Sequence, residues 1–246
     1  MDAPTGESTM EIKRRPAKIG ILCWEAGQVP KGLLQLETLP GNSTNPASYA
    51  YDVRFHRVSG ANVHTILEKP DQAVLETMIA DAKVMVSEGI KAITTSCGFN
   101  AIFQRELARA VGAPVFTSSL LQVPLARQIN GPDSEICIIT ANASALGPEH
   151  LKSVGVTSTA GLHIIGLEKC AEWNRMFAEP TAEIDLDVIE QEVLDTALRA
   201  LDVHPGIQTF VLECTDLPPY SAAIRRQAGL PVLDFITMVN YLHSAI

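Results

Sequence analysis

Ala92-Ile93-Thr94-Thr95-Ser96-Cys97-Gly98-Phe99 and Thr209-Phe210-Val211-Leu212-Glu213-Cys214-Thr215-Asp216 decide how this chain is read. Each is a short apolar run that stops at a cysteine, the pattern of a strand buried on both faces of a parallel sheet. Seventeen residues beyond each cysteine the chain reaches Pro-Val, at Pro114-Val115 and again at Pro231-Val232. The segments between also match, Arg109-Ala110-Val111-Gly112-Ala113 against Arg226-Gln227-Ala228-Gly229-Leu230. One strand–helix–strand unit is used twice, with a thiol at the same corner each time.

Outward from these corners the same order of elements repeats. Lys18 to Cys23 and Glu135 to Thr140 read as first strands, ending 74 residues before Cys97 and Cys214 respectively. Tyr51–Val58, Val115–Thr117, His163–Leu167 and Val232–Asp234 are further expected strands. Helical spacing is expected over Pro70–Glu88, Asn100–Val111, Ser119–Ile129, Pro148–Val154, Leu186–Leu201 and Tyr220–Ala228, with a closing helix to about His243. Alternating strands and helices imply parallel sheets with right-handed crossovers. The expected fold is α/β: two similar pseudo-twofold lobes, each a parallel sheet flanked by helices, with the site between them. Residues 1–16 are expected to form a loose tail, 17–118 with 232–246 the first lobe, and 119–231 the second. The Gly/Pro/Asn-rich stretch from Trp24 to Ser48 is a candidate lid, because loops of that length are usually functional.

Composition narrows the function. The 246 residues are 46% apolar and 19% charged, ordinary values for a globular protein large enough to bury a core. A net charge of −9 argues against a nucleic-acid partner, which needs a basic stripe. The largest basic cluster is Lys13-Arg14-Arg15, in the tail. No apolar run approaches a membrane span, and Met1–Pro16 lacks a signal-peptide core. Five scattered cysteines without Cys-x-x-Cys or finger spacing speak for reduced thiols in a cytoplasmic enzyme and against a disulfide framework or zinc site. The histidines show no ligand spacing, so no metal is expected.

Cys97 and Cys214 each end a strand and precede a helix, where free N–H groups and the helix dipole favour a thiolate. In facing lobes the two sulfurs would flank one cleft, one as base and the other as acid at a carbon between them. Backbone N–H groups of Gly98, Phe99, Thr215 and Asp216 are candidates to hold a carboxylate or enolate. Cys137 and Cys170 are expected to pack, and Cys23 to reach the cleft margin with a packing role foremost.

Ser96-Cys97-Gly98-Phe99 and Glu213-Cys214-Thr215-Asp216, with Thr117-Ser118-Ser119-Leu120-Leu121-Gln122-Val123-Pro124-Leu125, resemble motifs of the cofactor-independent aspartate/glutamate racemase superfamily. That group also holds hydantoin racemases, maleate isomerases and arylmalonate decarboxylases. The resemblance covers nearly the whole chain after the tail. It implies Cys97 and Cys214 as the acid/base pair, Thr215 on the substrate carboxylate, Asp216 assisting the neighbouring thiol, no cofactor, and a homodimer. Cys23, Trp24, Thr140, Ala141 and Asn142, with Thr117 and Asn45, complete the expected substrate-binding set.

Three departures stand out. Gly98-Phe99 replaces the Asn-Thr common in the amino-acid racemases, Glu213 replaces their usual Gly, and Trp24-Glu25-Ala26-Gly27 lacks the usual pattern. The expected function is therefore a cofactor-independent racemase or epimerase acting beside a carboxyl or cyclic amide/imide carbonyl, on a small carboxylate or cyclic amide. The alternatives are a cis-trans isomerase or decarboxylase of a dicarboxylic acid using a single cysteine, or a ligand-binding relative without turnover.

Overall fold

The computed structural model of the protein describes residues 16–246. The expected tail lies outside these residues except for Pro16, and so does Lys13-Arg14-Arg15.

The first sheet is built from β1 (Ile19–Cys23), β2 (Val53–Arg57), β3 (Ala92–Thr95) and β4 (Val115–Phe116), in the order β2-β1-β3-β4. The second has β5 (Glu135–Thr140), β6 (Leu162–Gly166), β7 (Ile207–Leu212) and β8 (Val232–Leu233), in the order β6-β5-β7-β8. Every pair is parallel, and Leu22 pairs with Thr95 as Ile139 pairs with Leu212. The repeat read from the cysteines is thus a repeat of register. β1, β3 and most of β5 and β7 are buried along their length, which is why they read as unbroken apolar runs.

Helices α1 (Lys31–Leu36), α2 (Gln72–Ser87), α3 (Gln104–Val111) and α4 (Gln122–Asn130) belong to the first half of the chain. The second half has α5 (Pro148–Ser153), α6 (Ala171–Ala178), α7 (Leu186–Val203), α8 (Ser221–Ala228) and α9 (Phe235–Ala245). Helices α3 and α8 end alike, at Gly112 and Gly229 with φ of 73° and 69°, left-handed positions that suit glycine at a helix end.

The final helix of each half crosses to the other sheet. α4 packs on β5 and β7, while Phe235, Met238, Val239 and Leu242 of α9 pack on Ile19, Ile21, Cys23 and Ala92. Gln122 Nε2 donates to Asp234 O at 2.8 Å where the two crossings meet. The expected return to the first lobe at residue 232 comes slightly late: β8 hydrogen-bonds to β7, and the chain crosses only at α9.

The Trp24–Ser48 stretch is more ordered than a loop. It holds α1 and a 3-10 turn, Pro46–Ser48, and it docks on the second lobe. Lys31 N donates to Pro180 O, and Gln35 exchanges two hydrogen bonds with the Ile184 backbone. A π-helical turn, Val63–Glu68, was not anticipated as an element either.

Candidate active site

Cys97 and Cys214 lie two residues past the ends of β3 and β7, at the carboxyl edges of the two sheets, where α/β folds place their sites. Both line one cleft of about 580 Å³, counted to its open mouth. Trp24, Val29, Leu33, Leu67, Phe99, Trp173 and Phe177 give the cleft an apolar, largely aromatic wall. Among the described residues its charged groups are Glu37, Asp216 and one guanidinium, Arg57. Gly98 and Thr215 also line it.

The second corner is held by the strap that contains α1. Asn42, fully buried, donates from Nδ2 to Asp216 Oδ1 at 2.8 Å, and Ser43 N donates to Thr215 O at 3.2 Å. The other carboxylate oxygen, Oδ2, accepts from Cys214 Sγ at 3.6 Å. Asp216 is thus aimed at the thiol by a residue from the opposite lobe. Thr215 Oγ1 donates to Ser96 O at 2.6 Å, tying the two corners together. That use of its one proton leaves the hydroxyl no second donation for a carboxylate.

Burial pushes both thiols up, against the expectation that helix N-termini would bring them toward neutrality. For Cys97 desolvation is followed by the charge of Glu213, and N–H groups of Phe99 and Asn100 oppose it weakly. For Cys214 the same desolvation is joined by Asp216 and Glu213, opposed by the Asp216 N–H. The carboxyls move too, Asp216 to about 6 and Glu213 to about 7, both chiefly through desolvation. The carboxyl groups therefore ionise before either thiol. The Phe99 and Asp216 N–H groups, expected to cradle a substrate carboxylate, instead face the sulfurs.

Several expected site residues lie elsewhere. Cys23 packs beneath α9, its Sγ 3.5 Å from Ile21 O, with burial raising its thiol to about 11. Thr117 is fully buried and bonds to Gln104. Asn45 caps the turn Pro46–Ser48 by accepting from Ala47 N, and it is the buried Asn42 that bonds Asp216. Asn142 accepts from Ser144 N and Ala145 N in a local turn beside a neighbouring hollow. Thr140 does not line the cleft but donates to Glu213 Oε2 at 2.7 Å.

Glu37, Arg57, Leu67, Trp173 and Phe177 were missed by sequence reasoning. They come from a strap, the end of β2, a π turn and α6, and no local motif marks them. Trp24 Nε1 and Trp173 Nε1 are buried without a partner among the described residues.

No protein-family model matches the chain. A dimethylsulfoniopropionate lyase from Durusdinium sp. clade D is 30% identical over 209 residues, covering 82% of this chain and 69% of that protein. Dimethylsulfoniopropionate lyase 7 of Emiliania huxleyi is 32% identical over 223 residues, covering 84% of this chain and 62% of that protein. Lyase 5 of the same organism is 30% identical over 215 residues, and the chain spans only 42% of its length. Among solved structures, allantoin racemase from Pseudomonas fluorescens superposes with a TM-score of 0.60 at 13% identity, covering 92% and 89% of the two chains. An aspartate racemase homologue from Pyrococcus horikoshii gives 0.57 at 17% identity, covering 93% and 98%. A variant of arylmalonate decarboxylase gives 0.53 at 15%, covering 89% and 88%. These three share the fold. With that architecture, and with sequence identity sustained over four fifths of its length, the chain belongs to the dimethylsulfoniopropionate lyase family, built on the fold of the aspartate/glutamate racemase superfamily.

Proposed function

We propose that the chain is a lyase that eliminates a neutral sulfide from a sulfonio-carboxylate, with dimethylsulfoniopropionate, the substrate in its relatives' name, as the leading candidate. The observation that carries this reading is the cleft itself: aromatic walls and two carboxyl groups against one guanidinium, around two thiols. A dimethylsulfonium head is a cation without N–H or O–H donors, and aromatic faces plus nearby carboxylates suit it. Arg57 is the natural partner for the carboxylate at the other end. A dicarboxylate would meet Glu37 and Asp216 as like charges, which disfavours the amino-acid racemase substrates.

The thiols give a second reason. Both are held protonated by burial and nearby carboxylates, so a bound cation opposes the charges that raise them. A unit positive charge about 5 Å from a sulfur, at an effective dielectric near 20, is worth roughly 3 kcal/mol, or about two pK units. A cationic substrate thus helps to activate its own base, and an anionic one works against it.

In the proposed reaction Cys214 S–H passes its proton to the Asp216 carboxylate. The thiolate then removes a proton from the carbon beside the substrate carboxylate. That C–H pair becomes the carbon–carbon double bond, and the carbon–sulfur bond breaks, its pair leaving on sulfur. The products are dimethyl sulfide and acrylate, and Asp216 returns its proton to solvent. Cys97, as a thiol on the other side, donates to the charge developing on the carboxylate oxygens.

The reading is tested by incubating the protein with dimethylsulfoniopropionate and measuring headspace dimethyl sulfide and acrylate. Equal amounts of both are expected, with Cys214→Ala lowering the rate by about 10³-fold or more, the scale of losing an activated base. The second reading, racemisation, rests on the two thiols lining one cleft. No sulfide release, together with solvent deuterium entering the α position of a chiral carboxylic acid, would replace the lyase assignment by it.

A further inference from the structure

Glu213 is a buried carboxyl that the elimination does not use. Its side chain is fully buried in the lobe interface. Oε2 accepts from Thr140 at 2.7 Å, whereas Oε1 has no partner among the described residues. A buried carboxyl with one oxygen unsatisfied costs stability, and such a group calls for an explanation.

Its surroundings supply one. A Cβ added at Gly98 would overlap both Glu213 O and Glu213 Oε1. The Glu213 carboxyl, delivered from the end of β7, therefore sits where a side chain at position 98 would stand, next to Cys97. The two departures from the amino-acid racemase pattern, glycine after the first cysteine and glutamate before the second, are two halves of one fit.

We propose that Glu213 makes the two thiols unequal: its carboxyl, seated over Gly98, holds Cys97 in the thiol form and leaves Cys214 as the single base. Two-base inversion needs a thiolate that either sulfur can carry. Both thiols feel Glu213 and Asp216, but Glu213 is the leading charge on Cys97 and stands behind Asp216 on Cys214. Cys214 alone has a carboxylate oxygen in contact to take its proton, Asp216 Oδ2 at 3.6 Å, among the described residues. The charged groups that act on Cys97 are Glu213 and Asp216, those that act on Cys214 are Asp216, Glu213 and Cys97, and Glu213 is acted on by the Thr140 hydroxyl and by Asp216. Glu213 is a positioning residue, acting on the reaction through Cys97. An enzyme with one base and one fixed donor eliminates, and it lacks the second base that returns a proton to the opposite face.

The inference deepens the lyase reading, but its test needs no substrate. Iodoacetamide alkylation of the full chain is followed peptide by peptide by mass spectrometry from pH 7 to 9.5, so that each cysteine is read separately. Glu213→Gln is expected to raise the Cys97 rate about tenfold, the effect of removing one nearby like charge, and to change the Cys214 rate less than about threefold. An unchanged Cys97 rate in folded protein, or equal rises at both cysteines, overturns the proposal. If Glu213→Gln does not fold, Thr140→Val reads the same coupling. Loss of the hydroxyl donor keeps Glu213 protonated to higher pH, so Cys97 must react faster between pH 7 and 8. An unchanged or slower rate overturns the proposal there too. Failure of dimethyl sulfide release with the alkylation result intact would remove the substrate and keep the unequal pair.

Discussion

Replacing Glu213 by glutamine isolates how much an ionisable group in the lobe interface costs the fold. The carboxyl is fully buried, and desolvation raises it from 4.5 to about 7. An acid whose folded pKa lies above its unfolded value favours the folded state when protonated. Its contribution is complete below about pH 4.5 and is lost as pH rises through about 7. At 1.36 kcal/mol per unit, the raised carboxyl corresponds to stability on the order of 3 kcal/mol lost between those limits. Glutamine keeps the shape, can still pair with Thr140 Oγ1, and cannot ionise. Urea unfolding of wild type and Glu213→Gln at half-unit steps from pH 5 to 8 is the assay. The variant is expected to gain on wild type steadily with pH, and for a chain of this length that gain amounts to roughly 6–12 °C in Tm by pH 8. Parallel curves for the two proteins over that range would refute the reasoning, because they would show that Glu213 does not titrate within the folded state.

Other expectations follow from single contacts. Asn42→Leu removes the donor that lowers Asp216, so the acid limb of the pH–rate profile should move up from about 6 by roughly one unit or more, the scale of a hydrogen bond to a charged group. A limb that stays in place would show that Asp216 does not set it. Trp173→Ala should raise KM for a sulfonio-carboxylate about tenfold or more through loss of an aromatic wall, with a smaller effect on kcat, as read by steady-state kinetics. Gly98→Ala should cost about 1–3 kcal/mol in urea unfolding by forcing the corner apart, and less in a Glu213→Ala background, where part of the overlap is gone.

The repeated cysteine corner was legible because a buried parallel strand leaves a continuous apolar run, and two such runs with equal spacing to Pro-Val fix a register. The two lobes and their parallel sheets follow from that. Chemistry carried by the strap was not legible. Within Trp24–Ser48 the polar residues look alike in sequence, and Asn45 was expected where Asn42 acts; what separates them is that Asn45 spends its oxygen on a local cap while Asn42 reaches the other lobe. Thr117 failed for a related reason, since a buried hydroxyl at a strand end is as easily spent on Gln104 as on a ligand. The thiol acidities were misjudged because helix-terminal N–H groups are visible in sequence, whereas desolvation and the carboxyl across the interface are not. Glu213 stood out only as an unusual neighbour of Cys214, and its bearing on Cys97 needed the three-dimensional contact with Gly98.

The helix crossing has a mechanical consequence. Because α4 covers the second sheet and α9 the first, each half of the chain supplies the other's hydrophobic lid, and neither half carries a complete core of its own. Ser119 Oγ on Leu212 O, Gln122 on Asp234 O and Thr215 on Ser96 O then act as rivets along the seam. The two sulfurs are therefore set like the jaws of a caliper whose arms are interlocked. Their gap is a property of the whole chain, and a cut between residues 130 and 135 would release two unstable pieces rather than two half-sites.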